Sequence, residues 1–153
     1  MCIRDSELFY LFTTLVLGLF AGSLLTEATI LVPYWRRMKP ADFLSLHASL
    51  GPNLFCYYAP LTTLAVLLAL TTSMIVGTSN TPWLVSGGLC LSALAIFFIY
   101  FRKANNRFAT HDINENELSN ELQRWSNWHW LRTIMVIVAL SFSIYGHTLT
   151  VSI

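Results

Sequence analysis

The stretch LFYLFTTLVLGLFAGSLLTEATILV, residues 8–32, decides the architecture of this chain. It exceeds the ~20 apolar residues needed to cross the hydrocarbon of a bilayer. Its one charge is Glu27. A carboxylate at the centre of a spanning helix costs about 2.5–3.5 kcal/mol on the insertion scale, and less near an end. Glu27 lies roughly 7–8 Å inside the segment, at 1.5 Å rise per residue. Residues of this kind pair with a cation, bind a metal or carry a proton.

Three further apolar segments follow at residues 54–76, 83–101 and 130–150. The chain has 153 residues, of which 55% are hydrophobic and 11% charged. A soluble domain carries about 25% charge. The expected fold is therefore all-α: a four-helix transmembrane bundle, one membrane domain over residues 7–153 with the lipid bilayer as its partner. The net charge of +1 gives no argument for nucleic acid. An oligomer is compatible with the sequence. Cys2, Cys56 and Cys90 show no metal spacing. Residues 1–6, Met-Cys-Ile-Arg-Asp-Ser, resemble translated adapter sequence and are set aside as a non-native segment.

Basic residues fix the expected orientation. Arg36, Arg37 and Lys39 follow the first span. Arg102, Lys103, Arg107 and Arg124 follow the third, with Arg132 just inside the fourth. The loop at residues 77–82 is uncharged. The Lys/Arg bias puts loops one and three in the cytoplasm and both termini outside an inner cell membrane. Trp35, Trp125, Trp128 and Trp130 flank the cytoplasmic end as interfacial aromatics do, and Trp83 marks the other interface.

Local signals refine this picture. Pro33 is expected to end helix one. Residues 40–47 read as a short interfacial helix with Pro40 in its first turn. Gly51-Pro52 breaks it before helix two, which Pro60 kinks. Gly18 and Gly22 suit close contact with a neighbouring helix. Glu27 falls on the opposite stripe with Phe20, Ser23 and Ile30, at roughly 100° per residue, and points into the bundle. Residues 110–124 are polar and acidic, a solvated loop leading into an amphipathic turn.

This topology gathers the scarce ligand-type residues at one end: Glu27, His47, Asn53, Asn105, Asn106, His111 and His129. Only His147 lies at the far end. Trp125, His129 and Arg132 share one helical face, because spacings of 3, 4 and 7 return to it. One carboxylate with two imidazoles is a ligand set for non-haem iron, and also for zinc or copper. Glu27, His47 and His129, with Asn106 as a further donor, are thus candidate ligands for iron or copper. Arg132 would orient Glu27 or hold an anionic substrate. The bland readings stand beside these. Glu27 could simply pair with Arg132 or Arg102. His47 and His111 could be solvated, and Asn105 and Asn106 a helix C-cap. Tyr57 and Tyr58 read as packing, although a phenol near a metal could donate protons.

The chain resembles the anthrone oxygenase-like family of small membrane proteins. The resemblance rests on Gly18-Leu-Phe-Ala-Gly22 running to Pro33, a loop histidine, Asn106-Arg107, and the pattern Arg124-Trp125, three residues, His129, two residues, Arg132. It implies a four-helix bundle and an oxidoreductase that uses dioxygen on an apolar substrate, without transferring the substrate's identity. The expected function is a membrane oxygenase with Glu27, His129 and Arg132 as catalytic groups. It would be metal-dependent, or cofactor-free with Glu27 or His129 as the base of an electron-rich phenol. The alternative is a non-catalytic membrane subunit or assembly factor, in which Glu27 and Arg132 form a structural ion pair.

Overall fold

The computed structural model describes residues 5–151, so residues 1–4, with Cys2 and most of the set-aside segment, lie outside the described residues. Four apolar rods form an antiparallel bundle, and no strand occurs among the described residues. The first rod is α1 (Asp5–Thr26), a π turn (Glu27–Leu31) and α2 (Val32–Trp35). The second is α3 (Pro40–Val76). A 3₁₀ turn (Gly77–Ser79) leads to the third, which is α4 (Thr81–Ile96), a π turn (Phe97–Phe101) and α5 (Arg102–Ala109). The fourth is α6 (Glu115–Val151). Around the bundle the order is α1, α3, α4, α6, with the α1–α3 seam the loosest of the four. All four rods are long and apolar enough to cross a membrane.

The outside is apolar and much of the inner seam is small. Met74 is 82% exposed, Ile99 73% and Leu15 63%, surface that suits lipid tails rather than water. Ala65, Ala69, Ala93 and Ala139 are buried at the helix contacts, and small residues let backbones approach closely in a membrane bundle. Thr13 and Thr72 share a buried hydrogen bond of 3.2 Å. The Ser73 hydroxyl donates to the Trp83 carbonyl at 2.6 Å.

All four rods overshoot the bilayer, α3 and α6 the furthest. α3 and α6 have 37 residues each. At ~1.5 Å per residue each spans about 55 Å, well beyond ~30 Å of hydrocarbon. The surplus builds a second, aromatic-rich core at the basic end. Trp35, Phe43, Phe101, Phe108, Leu118 and Trp125 are buried in it. The first core holds Leu17, Phe20, Leu24, Ala65, Val136 and Ala139.

Four expectations change. Residues 40–47 are helical, but no break separates them from the second span. Pro52 lies on the exposed face, and Phe43 and Leu44 anchor this part of the helix in the second core. Tertiary packing has overridden the local breaker. Pro33 does not end the first rod; the backbone widens ahead of it and continues to Trp35. Trp83 is fully buried, and Trp35 and Trp125 are each 5% exposed, so they pack inward; Trp130 remains exposed. Gly18 and Gly22 do not seat a neighbouring helix. A Cβ at Gly22 would meet nothing within 4 Å, and one at Gly18 only Leu140 at 4.0 Å.

Candidate functional site

Glu27 opens the first π turn. Pro33 has no N–H to offer the Thr29 carbonyl and crowds it, which disfavours a regular α turn. The backbone instead forms a wider loop, in which the Val32 N–H reaches the Glu27 carbonyl. Such turns insert a residue and shift the register beyond them. Glu27, continuing the buried α-helical stripe of Phe20 and Leu24, is 4% exposed, while Ile30, expected on the same stripe, is turned out to 62% exposure toward lipid. The second π turn, in the third rod, closes with the Arg102 N–H on the Phe97 carbonyl. It carries Phe101, which is 1% exposed. Both distortions border the same buried cluster.

Glu27 meets His129 and Arg132 there. Its Oε2 lies 3.8 Å from His129 Nε2 and 3.8 Å from Arg132 Nη2. The two residues of α6 are tied to each other and to α1. Arg132 Nη2 donates to His129 Nδ1 at 3.0 Å. His129 Nε2 lies 3.0 Å from the Leu24 carbonyl oxygen, which can only accept. The partners therefore assign the neutral tautomer with hydrogen on Nε2. Glu27 Oε2 and Arg132 Nε make no hydrogen bond.

Aromatic rings hold this cluster in place. Trp125 stacks on His129 at 5.0 Å and 13°, and its indole N–H donates to Asn105 Oδ1 at 2.9 Å. Phe101 meets His129 edge-on at 6.3 Å and lies 4.4 Å below the Arg132 guanidinium carbon. A desolvated guanidinium over a ring gains about 2 kcal/mol. Tyr58 of α3 sits beside the Glu27 carboxyl. All four rods thus contribute a side chain.

Glu27, His129 and Arg132 converge as the sequence predicts, with Arg132 rather than the exposed Arg102 as the cation. His47 does not join them. Its ring packs against Phe43 at 5.6 Å and Phe108 at 5.3 Å. Asn106 and Asn53 are exposed, as is His111. Asn105, expected as a cap, orients Trp125. Tyr58, expected as packing, borders the carboxyl. The sequence signals for these two were an amide four residues after Phe101 and a phenol inside an apolar span. Neither tells which way a side chain faces.

The donor set fits iron or copper poorly. Both nitrogens of His129 are committed, to Arg132 and to Leu24. Among the described residues no group of three His, Cys, Asp or Glu side chains could hold a metal ion. The arrangement instead offers one carboxylate oxygen that makes no hydrogen bond, between a neutral imidazole and a guanidinium. No family model, no curated protein and no solved structure matches the chain, so its chemistry rests on this geometry.

Proposed function

We propose that this protein is a four-span membrane oxidoreductase of the oxygenase kind, working without a metal, with Glu27 as the base. One observation carries the reading: a buried carboxylate oxygen that makes no hydrogen bond, held 3.8 Å from two nitrogens. Leaving such an acceptor unmet costs about 1–3 kcal/mol or more, and a purely structural pair has every reason to close the gap. An unmet carboxylate lone pair is what proton abstraction needs.

The substrate is an apolar, electron-rich, weakly acidic aromatic that arrives through the bilayer. Glu27 takes its proton. The resulting anion reduces dioxygen, the co-substrate: a ring carbon bearing hydrogen forms a C–O bond, and Glu27 returns its proton to the outer oxygen to give a hydroperoxide. Loss of water leaves a carbonyl, so one oxygen atom stays in the product and the other departs as water. Arg132 steadies negative charge, first on Glu27 and then on the substrate anion. The resemblance carried by Arg124, Trp125, His129 and Arg132 supports this reaction class.

The test is oxygen uptake by the protein in lipid nanodiscs with anthrone as substrate, taken in its phenolic tautomer, anthrol. Wild type should exceed the buffer rate. Glu27→Gln should lower the enzymatic part by about a hundredfold, the lower end of what a positioned base contributes. Uptake no faster than buffer in the wild type, or undiminished in the variant, sinks the proposal.

A structural reading keeps one observation in its favour: the bonds from Arg132 to His129 and from His129 to Leu24 lock α6 to α1.

The basic end is proposed to face the cytoplasm, from its Arg and Lys excess. With the native cysteines replaced by Ser, a cysteine at Asn116 should label only from the cytoplasmic side and one at Ser79 only from the other. Labelling of both from one side would overturn the four-span orientation.

A further inference from the structure

The loose seam between α1 and α3 opens into a groove of about 460 Å³, lined by Gly18, Gly22, Ser23, Thr26, Tyr57 and Tyr58 among others. Its rim is lipid-facing: Leu19 is 59% exposed and Tyr57 49%. Its lining nevertheless carries four hydroxyl groups. In hydrocarbon no water can satisfy them.

The hydrogens of these hydroxyls can be traced one by one. Ser23 Oγ donates to the Leu19 carbonyl at 2.8 Å. It has only one hydrogen, so its 2.8 Å contact with the Tyr57 hydroxyl is donated by Tyr57. The Tyr58 hydroxyl donates to the Ser23 carbonyl at 3.1 Å, and the Glu27 carboxyl lies beside it. Thr26 donates to the Gly22 carbonyl at 2.9 Å. All four hydrogens are spent. What the groove still offers is oxygen lone pairs, next to two glycines that leave bare backbone for a flat molecule.

We infer that this groove is a binding site for a lipid-soluble molecule that donates a hydroxyl hydrogen, an apolar phenol or alcohol, and that it discriminates against quinones, ketones and ethers. A ligand able only to accept meets lone pairs facing lone pairs. A donor satisfies them where lipid tails cannot. Binding stands on the groove alone. Its use in turnover rests on the proposed function: a phenol bonded to the Tyr58 oxygen passes its proton there while the Tyr58 hydroxyl turns from the Ser23 carbonyl and gives its own hydrogen to Glu27. The phenol O–H bond breaks, the Glu27 O–H bond forms, and Tyr58 ends unchanged.

The probe is 4-hydroxybenzophenone, a photoreactive apolar phenol, irradiated with the full protein in nanodiscs and located by peptide mass spectrometry. Label is expected on α1 around residues 18–26 and on α3 at Tyr57 and Tyr58. 1-Naphthol should compete at least about tenfold better than 1-methoxynaphthalene or 1,4-naphthoquinone, the worth of one good hydrogen bond. Gly22→Leu should fill the groove and cut labelling about tenfold, with thermal unfolding showing that the bundle persists. Gly18→Leu serves if Gly22→Leu does not fold. Equal competition by the ether or quinone overturns the inference. So does labelling elsewhere, labelling that neither glycine variant reduces, or photocrosslinking between copies through this face. Glu27→Gln should keep the label. Labelling without oxygen uptake in the wild type would leave the groove and remove the proposed function. Glu27-dependent uptake without groove labelling would do the reverse.

Discussion

Glu27→Leu is expected to destabilise the folded protein by about 3–5 kcal/mol, the cost of stranding a buried cation. Arg132 is 9% exposed and Glu27 is the carboxylate paired with it. The bond to His129 and the Phe101 face remain, but neither carries negative charge. Replacing both partners is expected to act differently. The Glu27→Leu, Arg132→Met double variant should recover most of the loss, because an apolar pair of similar volume removes both desolvation penalties. Unfolding by denaturant in mixed micelles measures both. The double variant also separates the two functional readings. If it is stable yet takes up no oxygen with anthrone, the charges serve chemistry rather than folding. If it remains as unstable as the single variant, the cluster is holding the helices together. A Glu27→Leu protein within about 0.5 kcal/mol of wild type, the range of ordinary surface changes, would show that Arg132 was never stranded.

At the far end of the bundle, Trp83→Ala is expected to cost about 3–5 kcal/mol, as for other buried Trp truncations. Its side chain is fully buried and its ring meets Tyr10 at a centroid distance of 6.0 Å. Gly146 makes room for it. A Cβ at Gly146 would lie 2.7 Å from Trp83 Cδ1 and 3.2 Å from Asn80 Oδ1. The Asn80 amide also donates to the Gly146 carbonyl at 3.1 Å. Gly146→Ala should therefore cost about 1–3 kcal/mol by overpacking. In a Trp83→Ala background that cost should largely vanish, because the ring that clashes is gone. Such coupling between touching residues is what a double-mutant cycle reads. Strict additivity of the two changes would mean that Gly146 is not shaped by Trp83.

The four spans were legible because each is a local property. Residues 8–32, 54–76, 83–101 and 130–150 all fall within the helices observed. Hydropathy failed only at the helix ends. The first half of α6 and the first turns of α3 are polar, and their helicity depends on a second core assembled from Phe43, Phe108, Leu118 and Trp125. Trp35, Trp83 and Trp125 turn inward, against the local expectation, for the same reason. An indole near a span end suits the lipid interface or a buried aromatic core equally well, and only the neighbours decide.

The candidate site was legible in part. A lone carboxylate in an apolar span requires a partner, and the spacing of Trp125, His129 and Arg132 puts two such partners, His129 and Arg132, on one face with the ring that stacks on His129. That much is helical periodicity and desolvation cost, both readable residue by residue. His47 could not be assigned that way. Its ring is held by Phe43, one turn back on the same helix, and by Phe108 of α5, a residue distant in the chain.

What the sequence by itself determined is the membrane class, the helices and the need to compensate Glu27, because in hydrocarbon each segment must satisfy its own backbone. Which side chains meet was decided by tertiary structure. The π turn before Pro33 changed the register of the first rod, sending Ile30 outward while Glu27 stayed inside. The α1–α3 seam, left open beside Gly22, turned two tyrosines expected to be packing into the wall of a groove. Facing depends on backbone distortion and on pairs distant in the chain, and no local pattern encodes either.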